Sequence, residues 1–250
     1  AEQKELLEKY SKEDQNKLFV TKPLYQRSLI VAAGPIANFV LAIIIFSFIY
    51  MFAGKDFTPA QINEVQKDGP AYTAGIKDGD LILQINENEV NSLLDVSTYI
   101  NASSSDALQI KILRNDEEIN FKVIPKLIKT KDSLGNTINK KIIGIKISPP
   151  NNELNRERLG PASALFYAIK ETWFVTSASL DFVFSLFKGK GDTTQLGGPI
   201  KIAKITGQVA QYGLVAFLSI MAYISISLGF INLLPIPMLD GGHLMFYAFE

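Results

Sequence analysis

The densest set of chemically capable residues lies near the end of the sequence, in Asn232-Leu-Leu-Pro235-Ile-Pro237-Met-Leu239-Asp240-Gly241-Gly242-His243. An amide, a pair of prolines and a carboxylate stand together at the close of an uncharged stretch that begins at Ile205. Prolines two residues apart cannot continue a helix, so the backbone unwinds there. At membrane depth, unwound backbone is tolerated only when buried in protein or lining a watery cavity. A carboxylate, an amide and freed carbonyls around one cavity are the parts of an ion or metal site. Two glycines after Asp240 let another stretch of chain come close to its backbone. The same residues also describe a span that the prolines simply end, with Asp240 capping it in water, and taken alone they favour neither reading. A second polar feature, Gly34-Pro35-x-x-Asn38, puts Gly34 and Asn38 one turn apart on one helix face. On its own that pair suits helix packing in a membrane better than chemistry.

Composition narrows the chemistry further. His243 is the single histidine and cysteine is absent, which excludes a two-histidine metal site, disulfides, iron–sulfur ligation and thiol catalysis built from these residues alone. Lys+Arg 25 balances Asp+Glu 25, so no global field draws in nucleic acid, and none is expected as a partner. A mean hydropathy of +0.14 beside 20% charged residues requires the charges to be segregated from long apolar runs. From Ser28 to Gly54 there is no charge at all. As a helix rising ~1.5 Å per residue, that run reaches about 40 Å, more than a ~30 Å hydrocarbon core needs. Ile205–Leu239 is the second such run, and neither carries the polar stripe of a soluble core helix. Two membrane spans are expected, within 28–54 and 196–250, the latter also holding the motif and the start of a further helix. Lys12, Lys17, Lys22 and Arg27 precede the first span. The positive-inside rule then assigns residues 1–27 to the cytoplasm and the segment after Lys55 to the outside, with Asp240 returned near the cytoplasmic face. A charged, helix-like opening (Glu2 to Asp14) without a start residue, and an apolar end (HLMFYAFE) that stops abruptly, suggest a fragment of a longer membrane protein.

Residues 55–128 change character and read as a small soluble domain. Pro70 opens a short helix that Gly75 closes. Leu81, Leu83 and Ile85 alternate into an Asn86-Glu87-Asn88 turn as a half-buried strand does. Ser92-x-x-Asp95 is a capping box ahead of Leu93, Val96 and Ile100 at helical spacing. A hairpin follows, with Leu108, Ile110 and Ile112 alternating up to Asn115-Asp116 and Ile119, Phe121 and Val123 alternating back. This order, with GPAYTAGIKDGDLILQINENEV at its heart, resembles a bacterial PDZ domain. The resemblance implies binding of an extended peptide or C-terminus at a sheet edge, set against a structural domain that binds nothing.

Residues 129–159 read as a β extension and linker. Their lysines suit a solvated hairpin more than an anionic-lipid patch, and Ile142, Ile143, Ile145 and Ile147 suggest one more strand. Residues 160–195, with Leu165, Ile169, Trp173, Leu180 and Phe184 along one face, read as an amphipathic helix at the bilayer interface, or equally as a helix packed on the soluble domain. Gly197-Gly198-Pro199 breaks the chain before the second span. The fold class expected is a multi-pass α-helical membrane protein with an inserted PDZ-like α+β domain.

The motif Asn-x-x-Pro-x-Pro-x-Leu-Asp-Gly at the end of a span resembles that of the intramembrane zinc metalloproteases called site-2 proteases. With the Gly-x-x-x-Asn span, the PDZ insertion and the Gly-Gly-Pro segment in this order, the likeness is to the bacterial branch known as regulator of sigma-E protease, from about Lys22 to Glu250. It implies a zinc endopeptidase of the bacterial inner membrane, with the PDZ-like domain on the periplasmic side. Its expected substrates are single-span membrane proteins cut within the membrane in regulated intramembrane proteolysis, anti-sigma factors among them. By position, the resemblance implies that Asp240 is the carboxylate ligand of one Zn2+ and that Asn232 steadies substrate or the developing oxyanion. Pro235 and Pro237 would shape a substrate-facing loop, and Gly34 and Asn38 would pack near the site. His243 matches no family ligand. The remaining ligands and the general base would sit on a His-Glu-x-x-His motif, which this sequence lacks, so the chain alone is expected to be inactive. Two other readings remain: a membrane-anchored PDZ adaptor with a vestigial Asp240, and a broken-helix transporter, which would show inverted repeats that the sequence does not have.

Overall fold

The computed structural model describes residues 18–103, 105–131, 137–150, 153–189 and 198–249. The opening from Glu2 to Asp14, Gly197 and Glu250 lie outside the described residues.

Among the described residues, two helices are long and apolar enough to cross a membrane: α1 (Leu24–Phe52) and, later in the chain, Leu214–Leu233. α1 runs unbroken through Pro35, whose missing N–H frees one carbonyl in the preceding turn. Directly after α1 the chain enters a β unit. β1 (Lys55–Asp56) pairs with β10 (Arg156–Glu157), and the Leu159 N–H bonds the Tyr50 carbonyl at 3.0 Å, so the unit is fastened to the end of α1 at both its entry and its exit. The main sheet is antiparallel in the order β6 (Glu117–Val123), β5 (Leu108–Arg114), β3 (Leu81–Ile85), β2 (Ala60–Val65), β9 (Ile145–Ser148), with β4 (Asn88–Glu89) also on β3. Helices α2 (Pro70–Ala74) and α3 (Leu93–Ala102) complete it, and β7 (Lys126–Lys131) and β8 (Thr137–Ile142) form a separate hairpin.

The local signals account for most of these elements. Gly75 closes α2 at φ +95, where its backbone N–H reaches the carbonyls of the preceding turn. Both bonds of the Ser92/Asp95 capping box are present on α3. Asn115 and Asp116 take φ 50 and 63, as a tight two-residue hairpin turn requires. Leu108, Ile110 and Ile112 are fully buried, and with Ile62, Ile82, Ile85 and Val96 they form the core of the unit.

Strand β3 departs from simple alternation. Its register shifts between Ile82 and Gln84, so the core receives Ile82 and Ile85 rather than Leu81, Leu83 and Ile85. A β-bulge of this kind places an extra residue opposite one partner and exchanges the faces beyond it. The sheet also takes β9 from beyond residue 128, where the sequence pattern had closed the domain, because Ile143 and β9 complete the core.

The helical half differs from expectation in one boundary. The apolar run from Ile205 is not one helix, because Gly213 at φ +104 separates α5 (Pro199–Ala210) from α6 (Leu214–Leu233). Lys201 and Lys204 lie on α5, so the fully apolar helix begins at Leu214. Helix α4 (Pro161–Phe187) lies against both halves of the molecule. Ala164, Ala168 and Thr172 are buried toward α1 and α6, where the small residues admit Phe46, Ile49 and Ile226. On the other side Phe174 meets Tyr99 of α3 at 4.8 Å, and Lys170 meets Glu89 at 3.1 Å. Trp173 stays 73% exposed.

Within the β unit, Asp80 carries an ionic clamp. Its side chain is 1% exposed, and Arg114 donates to both carboxylate oxygens at 2.7 Å. Arg114 also donates to the Gly75 carbonyl at 2.9 Å, and the Lys77 N–H donates to Asp80 at 2.8 Å. Breaking a buried pair by removing one partner strands the other charge, so Asp80→Ala is expected to lower the stability of the β unit by about 3 kcal/mol. Chemical unfolding followed by the β-sheet signal measures this loss, which Lys146→Ala at the exposed Glu64 pair does not reproduce.

Candidate functional site

The site begins where α1 and α6 touch. A Cβ added to Gly229 of α6 would lie 3.1 Å from the Pro35 carbonyl and 3.2 Å from Asn38 Cβ, so the two backbones meet with nothing between them. Ser225 Oγ, one turn earlier, donates to the Asn38 carbonyl at 2.8 Å. Small residues and a cross-helix hydrogen bond are what hold helices together where lipid removes the hydrophobic drive. Asn38 thus takes part in packing through its backbone carbonyl and Cβ.

Helix α6 ends at Leu233, and residues 234–239 fold into a compact, internally bonded loop. Ile236 N–H donates to Leu234 O at 2.7 Å and Leu239 N–H to Ile236 O at 3.1 Å. Met238 adopts φ 78 and is 95% exposed, while Pro235 and Pro237 lie on the outer surface. The loop folds back onto the first turn of α7 (Asp240–Phe249). A Cβ on Gly241 would sit 2.3 Å from the Leu233 carbonyl, and one on Gly242 would sit 2.4 Å from the Ile236 carbonyl. Both glycines are buried. They allow the broken helix to close on itself.

Asp240 is the first residue of α7 and is half-buried. Its Oδ2 lies across from Gly34, where an added Cβ would stand at 3.4 Å. Gly34, Asn38 and Asp240 are therefore brought into one region, with the Gly34 backbone so near that an added methyl group would touch the carboxylate. Asn232 lies on the last turn of α6, half-buried and one residue before the carbonyl that meets Gly241. Among the described residues, no hydrogen bond or ion pair engages the side chains of Asp240 or Asn232. His243 is exposed. Among the described residues no three His, Cys, Asp or Glu side chains gather to hold a metal. A half-buried carboxylate facing a glycine, uncommitted to other protein donors, does fit a single anionic ligand position.

Sequence reasoning passed over Ser225 and Gly229. Their signal was available, because two small residues four apart in an apolar helix mark a packing face, complementary here to that of Gly34 and Asn38. It also passed over Glu171 of α4, which accepts a hydrogen bond from Tyr223 of α6 at 2.8 Å. That pairing joins residues fifty-two apart and has no local signature.

A second cleft, of ≈ 230 Å³, lies between α3 and the outer edge of β9, lined by Val96, Ile100, Ile143, Ile145 and Lys140. Lys141 closes one end: its backbone N–H donates to Asn101 Oδ1 at 3.0 Å and its ammonium to the Ser103 carbonyl. Burial pushes the Lys141 ammonium below the ordinary lysine range.

Two apolar helices long enough to cross a membrane and joined through small residues, a broken helix carrying a half-buried carboxylate, and a β unit fastened to the end of α1 frame a candidate ligand site inside the helical half. The chain belongs to peptidase family M50, which residues 6–250 match. It is 35% identical over 91% of its length to the Agrobacterium fabrum protein named "Putative zinc metalloprotease Atu1380", covering 60% of that protein. To a similarly named Rickettsia conorii protein it is 36% identical over 98% of its length, covering 68%. The β unit is similar to the PDZ domain of an SdrC-like protein of Listeria monocytogenes, at 24% identity and a TM-score of 0.30, over 36% of this chain and 88% of that one.

The glycine geometry has a direct test. Gly241→Ala forces backbone to move and is expected to cost about 1–3 kcal/mol, lowering the thermal midpoint in detergent by roughly 2 to 10 °C. Gly207→Ala, on α5 with open space around it, is expected to be neutral or to stabilise by up to about 1 kcal/mol.

Proposed function

We propose that this chain is the substrate-facing body of an intramembrane zinc metalloprotease that hydrolyses peptide bonds within the transmembrane helices of single-span membrane proteins. Family membership supports the protease class. The observation that carries the assignment to this site is the Asp240 carboxylate, half-buried, uncommitted and facing Gly34.

In this reading Asp240 is one zinc ligand, and the others come from a His-Glu-x-x-His segment that this sequence does not contain. Bound zinc supplies Lewis acidity and a water nucleophile available near neutral pH. The chain's own residues do the rest. The Asn232 amide donates to the substrate carbonyl as negative charge develops on it, a role that suits a donor fixed in a dry site. The loop from Leu234 to Leu239, shaped by Pro235 and Pro237, presents backbone and exposed apolar side chains to a substrate whose helix has opened. Gly34 lets α1 approach the Asp240 carboxylate closely, and the packing of Asn38 against Gly229 sets the distance between the two spans. The cleft between α3 and β9 takes an extended peptide or a C-terminus as an added strand. The whole acts in the bacterial inner membrane, with residues 1–27 cytoplasmic and the PDZ-like unit periplasmic, in regulated intramembrane proteolysis of the anti-sigma factor kind.

In the complete protein, Asp240→Asn is expected to reduce cleavage of a model single-span substrate by at least about a hundredfold and to abolish stoichiometric zinc. Cleavage at the wild-type rate in that variant excludes the ligand role. Orientation has a separate test: residues 1–250 contain no cysteine, and any cysteine elsewhere in the complete protein is first replaced by serine. A cysteine at Asn115, in the β5–β6 turn, is expected to react with an impermeant maleimide in intact spheroplasts, whereas one at Lys22 is expected to react only after permeabilisation.

A further inference from the structure

We propose that Arg27 is a positioning residue for Asp240 and that it acts through Tyr247. This rests on the assignment of Asp240 as a zinc ligand. The Arg27 guanidinium lies over the Tyr247 ring, 5.2 Å from its centroid. Arg27 precedes Gly34 by seven residues on α1, and Tyr247 follows Asp240 by seven residues on α7. Seven residues make nearly two turns and about 10 Å on a helix, so each helix presents both of its residues on a single face. The two contacts, Gly34 with Asp240 and Arg27 with Tyr247, therefore match in spacing and run antiparallel.

Helix α7 is joined to α6 through a loop that turns on two prolines and a residue at positive φ. Its first turn is seated by Gly241 and Gly242 against Leu233 and Ile236, with Asp240 opposite Gly34. A second contact two turns away fixes both its tilt and its rotation. A slip by one residue would turn the helix by about 100° and carry the carboxylate away from Gly34. The stacking suits this place, because Arg27 and Tyr247 are both half-buried and a cation over an aromatic face gains as water is withdrawn from it. It depends on the positive charge and the ring, and not on the tyrosine hydroxyl.

The test uses the complete protein in detergent, with kcat and KM for a single-span substrate and zinc retention against a competing chelator. Arg27→Met and Tyr247→Leu are each expected to lower kcat about tenfold, leave KM unchanged and weaken zinc retention about tenfold. The double variant is expected to be no worse than either single one. Tyr247→Phe and Arg27→Lys are expected to stay near wild type in both measurements. Wild-type kcat and zinc retention in Arg27→Met, additive losses in the double variant, or equal damage from Tyr247→Phe and Tyr247→Leu would overturn the proposal. If Arg27→Met does not accumulate in the membrane, the comparison of Tyr247→Phe with Tyr247→Leu decides the question. An Asp240→Asn protein that cleaves normally removes the zinc-ligand reading and the positioning role with it. Normal Arg27→Met beside an inactive Asp240→Asn removes only the latter.

Discussion

The contact between Gly229 and the backbone of α1 is the constraint on which the helical half depends. A Cβ at that position would press on the Pro35 carbonyl and Asn38, and the neighbours would have to give by a few tenths of an ångström. Within lipid no hydrophobic force presses the two helices together, because the acyl chains are as apolar as the helix surfaces. Close packing and the Ser225 hydrogen bond to the Asn38 carbonyl supply the attraction instead. Once α1 and α6 are seated, the loop after Leu233 leaves α6 at a defined distance from α1. Gly241 and Gly242 fold it tightly, and Asp240 arrives opposite Gly34. The carboxylate is thus positioned by glycines on three elements.

Helix α4 extends this rigidity to the β unit. Its small face fits against α1 and α6, and the face carrying Lys170 and Phe174 meets α3 and β4. The hydrogen bond from Tyr223 to Glu171 gives the buried side of α4 a polar contact with α6. The strand pair at the end of α1, with Lys55 set among the rings of Tyr50, Phe57 and Tyr167, closes the junction from the other side. A displacement of the β unit would have to disturb these attachments together.

Much of this was legible in the sequence, for identifiable reasons. Capping, tight turns and hairpins are local, so Ser92, Asp95, Asn115 and Asp116 announce their own geometry. The apolar stretches are equally plain, and the Gly34/Asn38 spacing already pointed to packing. What was hidden depends on residues far apart in the chain. The bulge at Leu83 is set by pairing with β5, and the core's need for Ile143 moves the edge of the β unit to β9. Gly213 breaks the second apolar run without changing its hydropathy, so a reading by polarity alone crosses the break. For the site, the motif singled out Asp240 as a candidate. That Gly34 would be its neighbour could not be read from either helix alone.

The outer edge of β9 carries a consequence for solubility. A row of unpaired backbone groups on a strand is a template for any exposed strand of another molecule, and proteins usually blunt such edges. Here the edge is recessed beneath α3, and Lys146 on its outward side is paired with Glu64 across the neighbouring strand. With α3 beside it, the β9 edge is less open as a template for another strand than a bare sheet edge would be.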